Sequence, residues 1–386
     1  MRYDFDEIIP RRDTESVKWD LAAGDVLPMW VADMDFRTAQ PVTEALMKRV
    51  QHGVFGYTKA FDAYYDAVAG WFGRRHGLNV KREWILPVIG VVPAVSAVLR
   101  ALTTPGDKVI LQSPVYHCFY SVINNNGCKA VSNRLMYDGK SYSVDFDALE
   151  QLAADPLVKV FLLCHPHNPA GRVWTKDELM LMGNICRRNG VTVVSDEIHC
   201  DLTYGGYRHI PFASLGDEYL LCSVTCTSPS KTFNLAGTQG ANLFVADERL
   251  KRSIMHTLDA NGISEPNAFA VDAVTAAYNE GEEWLEQLLH YLYDNYLFLE
   301  NFLAEHLPAL KALPLQATYL VWIDCSALHR PSRELAQILL RDQKLWINAG
   351  AIYGDGGDNF LRINIACPRS LLADGLNRIK NAFAAL

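Results

Sequence analysis

Short apolar runs alternate with amphipathic helical stretches through the middle of this 386-residue sequence. In the stretch 176–189, for example, apolar residues recur at helical spacing. The apolar runs predict strands at 109–112, 159–164, 191–195, 220–225 and 241–245. Strands that alternate with helices build a mostly parallel sheet with helices on both faces. The sequence therefore predicts an α/β fold.

The pattern changes near residue 284. A long helix is predicted from 284 to 306, and Pro308 and Pro314 interrupt the chain after it. A strand at 319–324, a helix at 332–341 and a strand at 360–365 are predicted next. We therefore predict a large domain at residues 45–283. Residues 1–44 together with 284–386 would form a smaller α+β domain.

Composition limits the partners and the location. The formal net charge of −8 argues against nucleic acid and anionic membranes as partners. Nine cysteines occur without a C-x-x-C pair, which indicates reduced thiols. The N-terminal segment carries acids where a signal peptide would need basic and then apolar residues, and no apolar run approaches the roughly 20 residues that span a bilayer. A cytoplasmic protein is predicted.

Polar residues follow four of the predicted strands. Ligands of an open parallel sheet bind beyond the carboxyl ends of its strands, so these side chains should converge on one edge. They are a tyrosine, an asparagine, an acid with a histidine, and a lysine: Tyr116, Asn168, Asp196, His199 and Lys231. The convergence predicts a ligand site at this edge.

Lys231 is the only charged residue in the stretch 228–242. Desolvation in a neutral pocket lowers the pKa of a lysine, which can then form a Schiff base with an aldehyde. If that aldehyde is pyridoxal 5'-phosphate, the protein must also supply an acid for the pyridinium nitrogen, a phosphate cradle and a platform for the ring. Asp196 can be the acid, Tyr116 can stack on the ring, and Asn168 can bind its phenolic oxygen.

A phosphate cradle is predicted where the stretch 90–94 runs into an apolar helix at 94–102. Free amides at a helix N-terminus bind phosphate dianions, and Ser228 can add a hydroxyl. Each candidate also has an ordinary explanation, such as a loop charge, a helix cap or a turn. His165 and His167 flank a proline, but no third ligand is spaced to join them, so no metal site is predicted.

Ordered motifs extend these candidates over nearly the whole chain. They lie at 5–12 with Trp19, 28–36, 55–57, 113–116, 167–174, 195–199, 230–237 and 360–364. In these motifs the sequence resembles the pyridoxal-phosphate enzymes of the aspartate-aminotransferase fold. Within them it resembles the cystathionine β-lyase/C–S lyase branch of the MalY and PatB type.

The resemblance implies a role for each residue at the cofactor. Lys231 would carry the cofactor, Asp196 would bind the pyridine nitrogen, and Asn168 the ring oxygen with His199 nearby. Tyr116 would stack on the ring. The phosphate would be bound by Val91, Val92, Ser228 and, from the neighbouring subunit, Tyr57, and Ser230 would be a further cofactor-binding residue. Where many aminotransferases of the fold have a phosphate-binding arginine, this sequence has Gln239.

The resemblance also implies a substrate and an assembly. Arg362 would bind the α-carboxylate of an amino-acid substrate, with Ala32 and Tyr57 on the substrate side. Because Tyr57 would cross to its neighbour, a homodimer with shared active sites is implied.

The reaction predicted from the resemblance is α,β-elimination from cystathionine, cysteine or related S-substituted cysteines, which gives a thiol, pyruvate and ammonia. Lys231, Asp196 and Tyr116 would be the catalytic residues. Lys231 or Tyr116 could protonate the leaving sulfur. An aminotransferase of the same fold is the first alternative, and a regulatory binding protein is the second.

Overall fold

A seven-stranded sheet forms the centre of the protein in this computed structural model, which describes residues 3–383. The strands in that range are β1 (Leu27–Pro28), β2 (Ile85–Val88), β3 (Lys108–Leu111), β4 (Lys129–Ser132), β5 (Met136–Tyr137), β6 (Tyr142–Ser143), β7 (Val158–Cys164), β8 (Thr192–Asp196), β9 (Ser223–Thr227), β10 (Ala241–Phe244), β11 (Lys311–Ala312), β12 (Leu320–Asp324), β13 (Leu345–Trp346), β14 (Asn348–Ala349) and β15 (Phe360–Asn364).

Helices lie between most of these strands. They are α1 (Val17–Asp20), α2 (Gln40–His52), α3 (Asp62–His76), α4 (Val91–Leu102), α5 (Cys118–Asn125), α6 (Phe146–Ala153), α7 (Lys176–Arg188), α8 (Asp217–Leu220), α9 (Pro229–Thr232), α10 (Glu248–Ala260), α11 (Ala268–Glu280), α12 (Glu282–His306), α13 (Ser332–Gln343) and α14 (Arg369–Phe383).

The central sheet has the order β2-β10-β9-β8-β7-β3-β4. Neighbours among β3, β4, β7, β8 and β9 pair in parallel, whereas β10 is antiparallel to both β2 and β9. The predicted α/β fold with a mostly parallel sheet is confirmed. One predicted strand differs, because its first residue, Leu220, ends helix α8. Asp217 and Glu218 favour a helix start there, and strand β9 begins only at Ser223.

The core explains why these strands read as continuous apolar runs. Alternate residues of one strand face opposite sides of a sheet. In β7, Val160 and Leu162 join one hydrophobic cluster, whereas Phe161 and Leu163 join another. Because helices cover both faces, strands of this kind are apolar on both sides. The same burial leaves only the strand ends open to a ligand.

A second sheet lies in the C-terminal part, with the antiparallel order β11-β12-β15-β14. The N-terminal β1 pairs with β13, so that Leu27 lies opposite Leu345. These pairings accord with a small domain built from both ends of the chain. The division at residues 45 and 284 stays a prediction, since those positions fall inside α2 and α12. Residues 1–2 and 384–386, the ends of the predicted small domain, lie outside the described residues.

No helix between residues 3 and 383 combines the length and the apolar character that crossing a membrane would require.

Candidate active site

A cavity of about 210 Å³ lies where β7, β8 and β9 end. Cys164, Asp196 and Ser228 line it from those three strand ends, as expected for a parallel sheet. The predicted residues among its lining are Ala32, Val91, Val92, Tyr116, Asn168, Asp196, His199, Ser228, Ser230 and Lys231. The convergence expected from the sequence is therefore present, and Arg362 and Tyr57 are the predicted residues outside this lining.

Lys231 is held on the short helix α9. Ser228 caps this helix by accepting from the amide of Ser230 at 3.0 Å. Thr232 anchors it to the core through a hydrogen bond of 2.8 Å to Asp201. Nζ of Lys231 donates to the carbonyl of Ala32 at 2.5 Å. Burial is the main reason that the pKa of Lys231 falls to about 8, so a neutral amine is accessible near neutral pH.

Asp196 ends strand β8 and is buried. Its Oδ1 accepts from the amide of Ile198 at 3.1 Å. Burial raises the pKa of this carboxyl to about 7, against the lowering effect of the Ile198 amide. A carboxylate so placed gains stability from a cationic partner such as a protonated ring nitrogen.

His199 and Asn168 lie beside these two residues and are both buried. Burial lowers the pKa of His199 to about 3, with the charges of Lys231 and Arg362 acting in the same direction. The imidazole is therefore neutral, and its Nδ1 has no hydrogen-bond partner in the described part of the chain. Asn168 accepts from Nη1 of Arg362 at 3.2 Å, which links the cavity to Arg362.

Helix α4 begins at Val91, next to the cavity. Gly90 precedes it with a φ of 154° and provides no side-chain cap, so the amides of Val91 and Val92 remain available. Such amides and the positive end of the helix suit a phosphate.

The hydroxyl of Ser228 is expected to donate to the phosphate. In the structure it donates instead to the carbonyl of Gly240 at 2.6 Å. Gln239 lines the cavity at the position where the resemblance expects an arginine. Among the described residues that line it, Lys231 is the only cationic side chain. The hydroxyl of Ser228 and the cradle as a whole therefore stay predictions.

Arg362 lies on β15 and is 3% exposed. Its Nη2 donates to the carbonyl of Trp30 at 2.7 Å, and its guanidinium lies 5.0 Å from the ring centroid of Tyr353. Its Nε has no partner, and no carboxylate among residues 3–383 forms an ion pair with it. A buried cation without an acidic partner is costly, which indicates a site for an anionic group.

Tyr57 lies apart from the cavity of its own chain. Its side chain is fully exposed, at 112% of the reference area. It lines a different surface depression together with Lys48, Arg49 and Lys59. Within one chain, the structure therefore does not bring Tyr57 to the other predicted residues.

Several residues of the site were missed by sequence reasoning. Cys164 and Ile198 line the cavity, and their positions gave a usable signal, because one ends a predicted strand and the other follows Asp196 by two residues. Tyr319 and Asn364 hydrogen-bond to the backbone beside the cavity from more than 280 positions away in sequence. Asn364 lies in the motif at 360–364 and Tyr319 in a predicted strand, but no local pattern gave either residue a role at the site.

The donor set fits pyridoxal 5'-phosphate. The cavity presents one lysine amine of lowered pKa, one buried acid that forms no ion pair with the described residues, and free amides at a helix N-terminus. An aldehyde, a basic ring nitrogen and a phosphate are the groups that these three features bind.

Comparisons with known proteins agree with this chemistry. The profile of the family "Aminotransferase class I and II" matches residues 24–379. Cystathionine beta-lyase PatB of Bacillus subtilis is 45% identical over 385 residues, which cover 98% of this chain and 100% of the relative. Protein MalY of Escherichia coli is 35% identical over 393 residues, and the match covers 100% of both chains.

A solved structure is similar over the whole length. Cystalysin from Treponema denticola, whose crystal structure contains pyridoxal 5'-phosphate, has a TM-score of 0.97 at 34% identity. The match covers 100% of both chains. The chain therefore belongs to the aminotransferase class I and II family, and within it is similar to cystathionine β-lyases and C–S lyases.

Proposed function

We propose that the protein is a pyridoxal 5'-phosphate-dependent C–S β-lyase. It cleaves cystathionine, cysteine or related S-substituted cysteines by α,β-elimination to a thiol, pyruvate and ammonia. The similarity to PatB, MalY and cystalysin supports this reaction class. Within the site, the observation that carries the proposal is that Lys231, with a pKa of about 8, and the buried Asp196 line one cavity.

Different residues of the cavity would bind different groups of the cofactor. Lys231 would bond to its aldehyde, Asp196 would bind its ring nitrogen, and Asn168 and His199 would lie by the ring oxygen. Tyr116 would stack on the ring, with Val91, Val92, Ser228 and Ser230 at the phosphate. When bound, the cofactor supplies a protonated ring that draws electrons from the substrate α-carbon.

The chain's own groups then bind the substrate and move its protons. Arg362 binds the α-carboxylate, because its buried guanidinium has no acidic partner among the described residues. The neutral amine of Lys231 removes the α-proton, and its pKa of about 8 keeps a useful fraction neutral at physiological pH. Burial raises the pKa of Tyr116, so its hydroxyl keeps a proton. Either this hydroxyl or the protonated Lys231 can donate to the leaving sulfur.

An assay with cystathionine tests the reaction. Purified protein should release pyruvate and free thiol without any keto acid, and Lys231→Ala should abolish both products. An aminotransferase would instead require a keto acid and would leave the C–S bond intact. Borohydride treatment followed by mass spectrometry should place the reduced cofactor on Lys231. An adduct on a different lysine would overturn the assignment.

We further propose a homodimer with shared active sites, located in the cytoplasm. Exposed apolar side chains at Val54, Phe55 and Phe61 flank the exposed Tyr57, and such patches mark interfaces. Lys231 is the one cation among the described residues that line the cavity, which favours a contribution to phosphate binding from a second chain. The location is supported by nine free cysteines, since free thiols are typical of reducing compartments.

Mixing two impaired variants tests the shared site. In a dimer of Tyr57→Phe and Lys231→Ala chains with crossed contacts, one site carries both defects and the other carries neither. Activity should then exceed that of either parent. If Tyr57 served its own chain, every site would keep one defect, and subunit exchange would only average the two activities.

A further inference from the structure

Residues 30–34 run beside the cavity without helix or strand, and we call this segment the strap. Every carbonyl from Trp30 to Met34 accepts a hydrogen bond from a side chain elsewhere in the chain. The donors to the strap, apart from those at Ala32, include Arg11, Asn234, Asn348, Arg362 and Asn364. Side chains, rather than a strand ladder, therefore set the position of this backbone.

The Ala32 carbonyl is the point where the strap meets Lys231. It accepts from Nζ of Lys231 at 2.5 Å and from the hydroxyl of Tyr319 at 3.0 Å. A carbonyl oxygen has two lone pairs, and these two donors use both. Tyr319 immediately precedes β12 and its side chain is completely buried. Its ring lies 6.2 Å from that of His199 in an edge-on arrangement.

We propose that Tyr319 is a positioning residue for Lys231. By occupying one lone pair of the Ala32 carbonyl, its hydroxyl directs the other at Nζ and fixes the place of the amine that takes up the substrate proton. A neutral amine that donates one N–H to Ala32 keeps its lone pair for that proton. The inference rests on the proposed role of Lys231 as the base, and it adds a residue that acts through the backbone of Ala32.

The charge state of Lys231 should respond to Tyr319. The charged and titratable groups that face this amine are Asp33, Asp196, His199, Cys118 and Arg362. Tyr319 contributes a neutral dipole, because burial raises its pKa well above the ordinary value. Without that hydroxyl the Ala32 carbonyl is a stronger acceptor for an ammonium, and a loosened strap admits water. Both changes stabilise the protonated lysine.

Tyr319→Phe tests the proposal, with Tyr204→Phe as the matched control. Tyr204 is also buried, but its hydroxyl has no hydrogen-bond partner in the described range. In cofactor-free protein, the rate of reductive methylation of Lys231 is followed against pH by mass spectrometry. Wild type should show a midpoint near the pKa of about 8. Tyr319→Phe should raise it by about half a pH unit or more, the scale of one neutral hydrogen bond, and the control should not.

Kinetics with cystathionine give a second readout. Tyr319→Phe should lower kcat about tenfold, as expected when one hydrogen bond that orients the base is lost, whereas KM should change less than about threefold because Arg362 remains. An unchanged or lowered methylation midpoint in Tyr319→Phe would overturn the proposal whatever happens to kcat. If wild type showed no lyase activity while the midpoint still shifted, the proposed function would fail and the role of Tyr319 would stand.

A second variant decides the question if Tyr319→Phe does not fold. Asn364 donates to the carbonyls of Val31 and Asp33, on either side of Ala32, at 2.6 and 2.7 Å. Asn364→Ser loosens the strap at these two points and keeps Tyr319. A raised midpoint for Lys231 in this variant supports positioning through the strap, and an unchanged midpoint overturns it.

Discussion

The segment 196–201 has two sides, and both carry buried titratable groups. Asp196 and His199 line the cavity, whereas Glu197 and Asp201 lie in the core. All four residues are at most 5% exposed. Burial therefore does not separate the two sides. The two sides differ instead in the number of hydrogen-bond partners that their side chains have.

On the core side the carboxylates are well supplied with donors. Glu197 accepts from Ser195 at 2.8 Å and from the amide of Phe212 at 3.0 Å, and it lies 2.8 Å from Nε2 of His209.

Asp201 receives donors in the same way. It accepts from Thr232 at 2.8 Å and from Trp71 at 3.1 Å, and it lies 2.7 Å from Nε2 of His76. Burial alone would raise the pKa of Asp201, yet these partners and Arg75 hold it below the ordinary value. On the core side, donors from the described residues therefore satisfy both carboxylates.

On the cavity side the partners are missing. Asp196 accepts from one amide, that of Ile198, and Nδ1 of His199 has no partner in the described part of the protein. Burial raises the pKa of Asp196 to about 7, whereas the partners of Asp201 lower its pKa. The pKa of Glu197 is raised as well, because burial there outweighs its partners. Buried polar groups are normally satisfied, so a shortage of partners marks the place where a ligand supplies them.

The largest predicted effect is the loss of activity in Asp196→Asn. A neutral amide cannot keep the ring nitrogen protonated, so kcat/KM should fall by at least about 10³-fold, or roughly 4 kcal/mol in barrier. The cofactor-free variant should unfold at the same temperature as wild type or higher, because the change removes a buried acid that forms no ion pair with the described residues. Assays of pyruvate release and thermal unfolding measure the two quantities. Retention of more than roughly a tenth of the activity would contradict the role, since that is only about 1.4 kcal/mol.

Asp201→Asn makes the same chemical change on the other side of the segment, and its effect should fall on stability. Breaking a buried charged pair costs about 3–5 kcal/mol, because the partners of Asp201 lose their acceptor charge. The amide keeps one oxygen for Thr232, so the folded fraction should retain activity within about tenfold of wild type. Urea unfolding combined with activity per folded molecule tests this. The comparison fails if both variants lose activity and stability alike.

Part of this division could be predicted from the sequence. The rule that ligands bind at the carboxyl ends of parallel strands placed Tyr116, Asn168, Asp196, His199 and Lys231 together, and all five line the cavity. The rule needs only apolar runs and the residues that follow them, which are local properties of the chain.

The partners of these residues could not be predicted in this way. Successive residues of an extended chain, such as Asp196 and Glu197, point to opposite sides, but the sequence does not say which side has the cavity. The answer depends on partners such as His209 and Phe212, which reach Glu197 from another segment. The same is true of Tyr319 and Ala32, whose hydrogen bond joins positions 287 residues apart. Such contacts depend on tertiary packing and leave no periodic signal.

The last prediction is a pH dependence that separates the two acids. In cofactor-free protein the folded-state pKa of Asp196 is about 7, against an ordinary value of 3.8. Between these pH values the folded state keeps a proton that the unfolded state has released. Stability should therefore fall as pH rises from about 4 to 7, by at most about 1.4 kcal/mol per pH unit, and then level off. The pKa of Asp201 is lowered, so its contribution to stability is lost only below the ordinary value of 3.8. Between pH 4 and 7 that contribution does not change with pH.

Urea unfolding from pH 4.5 to 8 can isolate the contribution of Asp196 to the free energy of unfolding. Subtracting the free energies of unfolding of Asp196→Asn from those of wild type cancels the other titrating groups. The difference should become steadily less favourable to wild type up to about pH 7 and stay constant above it. Asp201→Asn, although less stable throughout, should keep the wild-type slope in the same range. Parallel curves for wild type and Asp196→Asn would mean that the carboxyl of Asp196 finds partners in the cavity after all, and the contrast between the two sides of the segment would be lost.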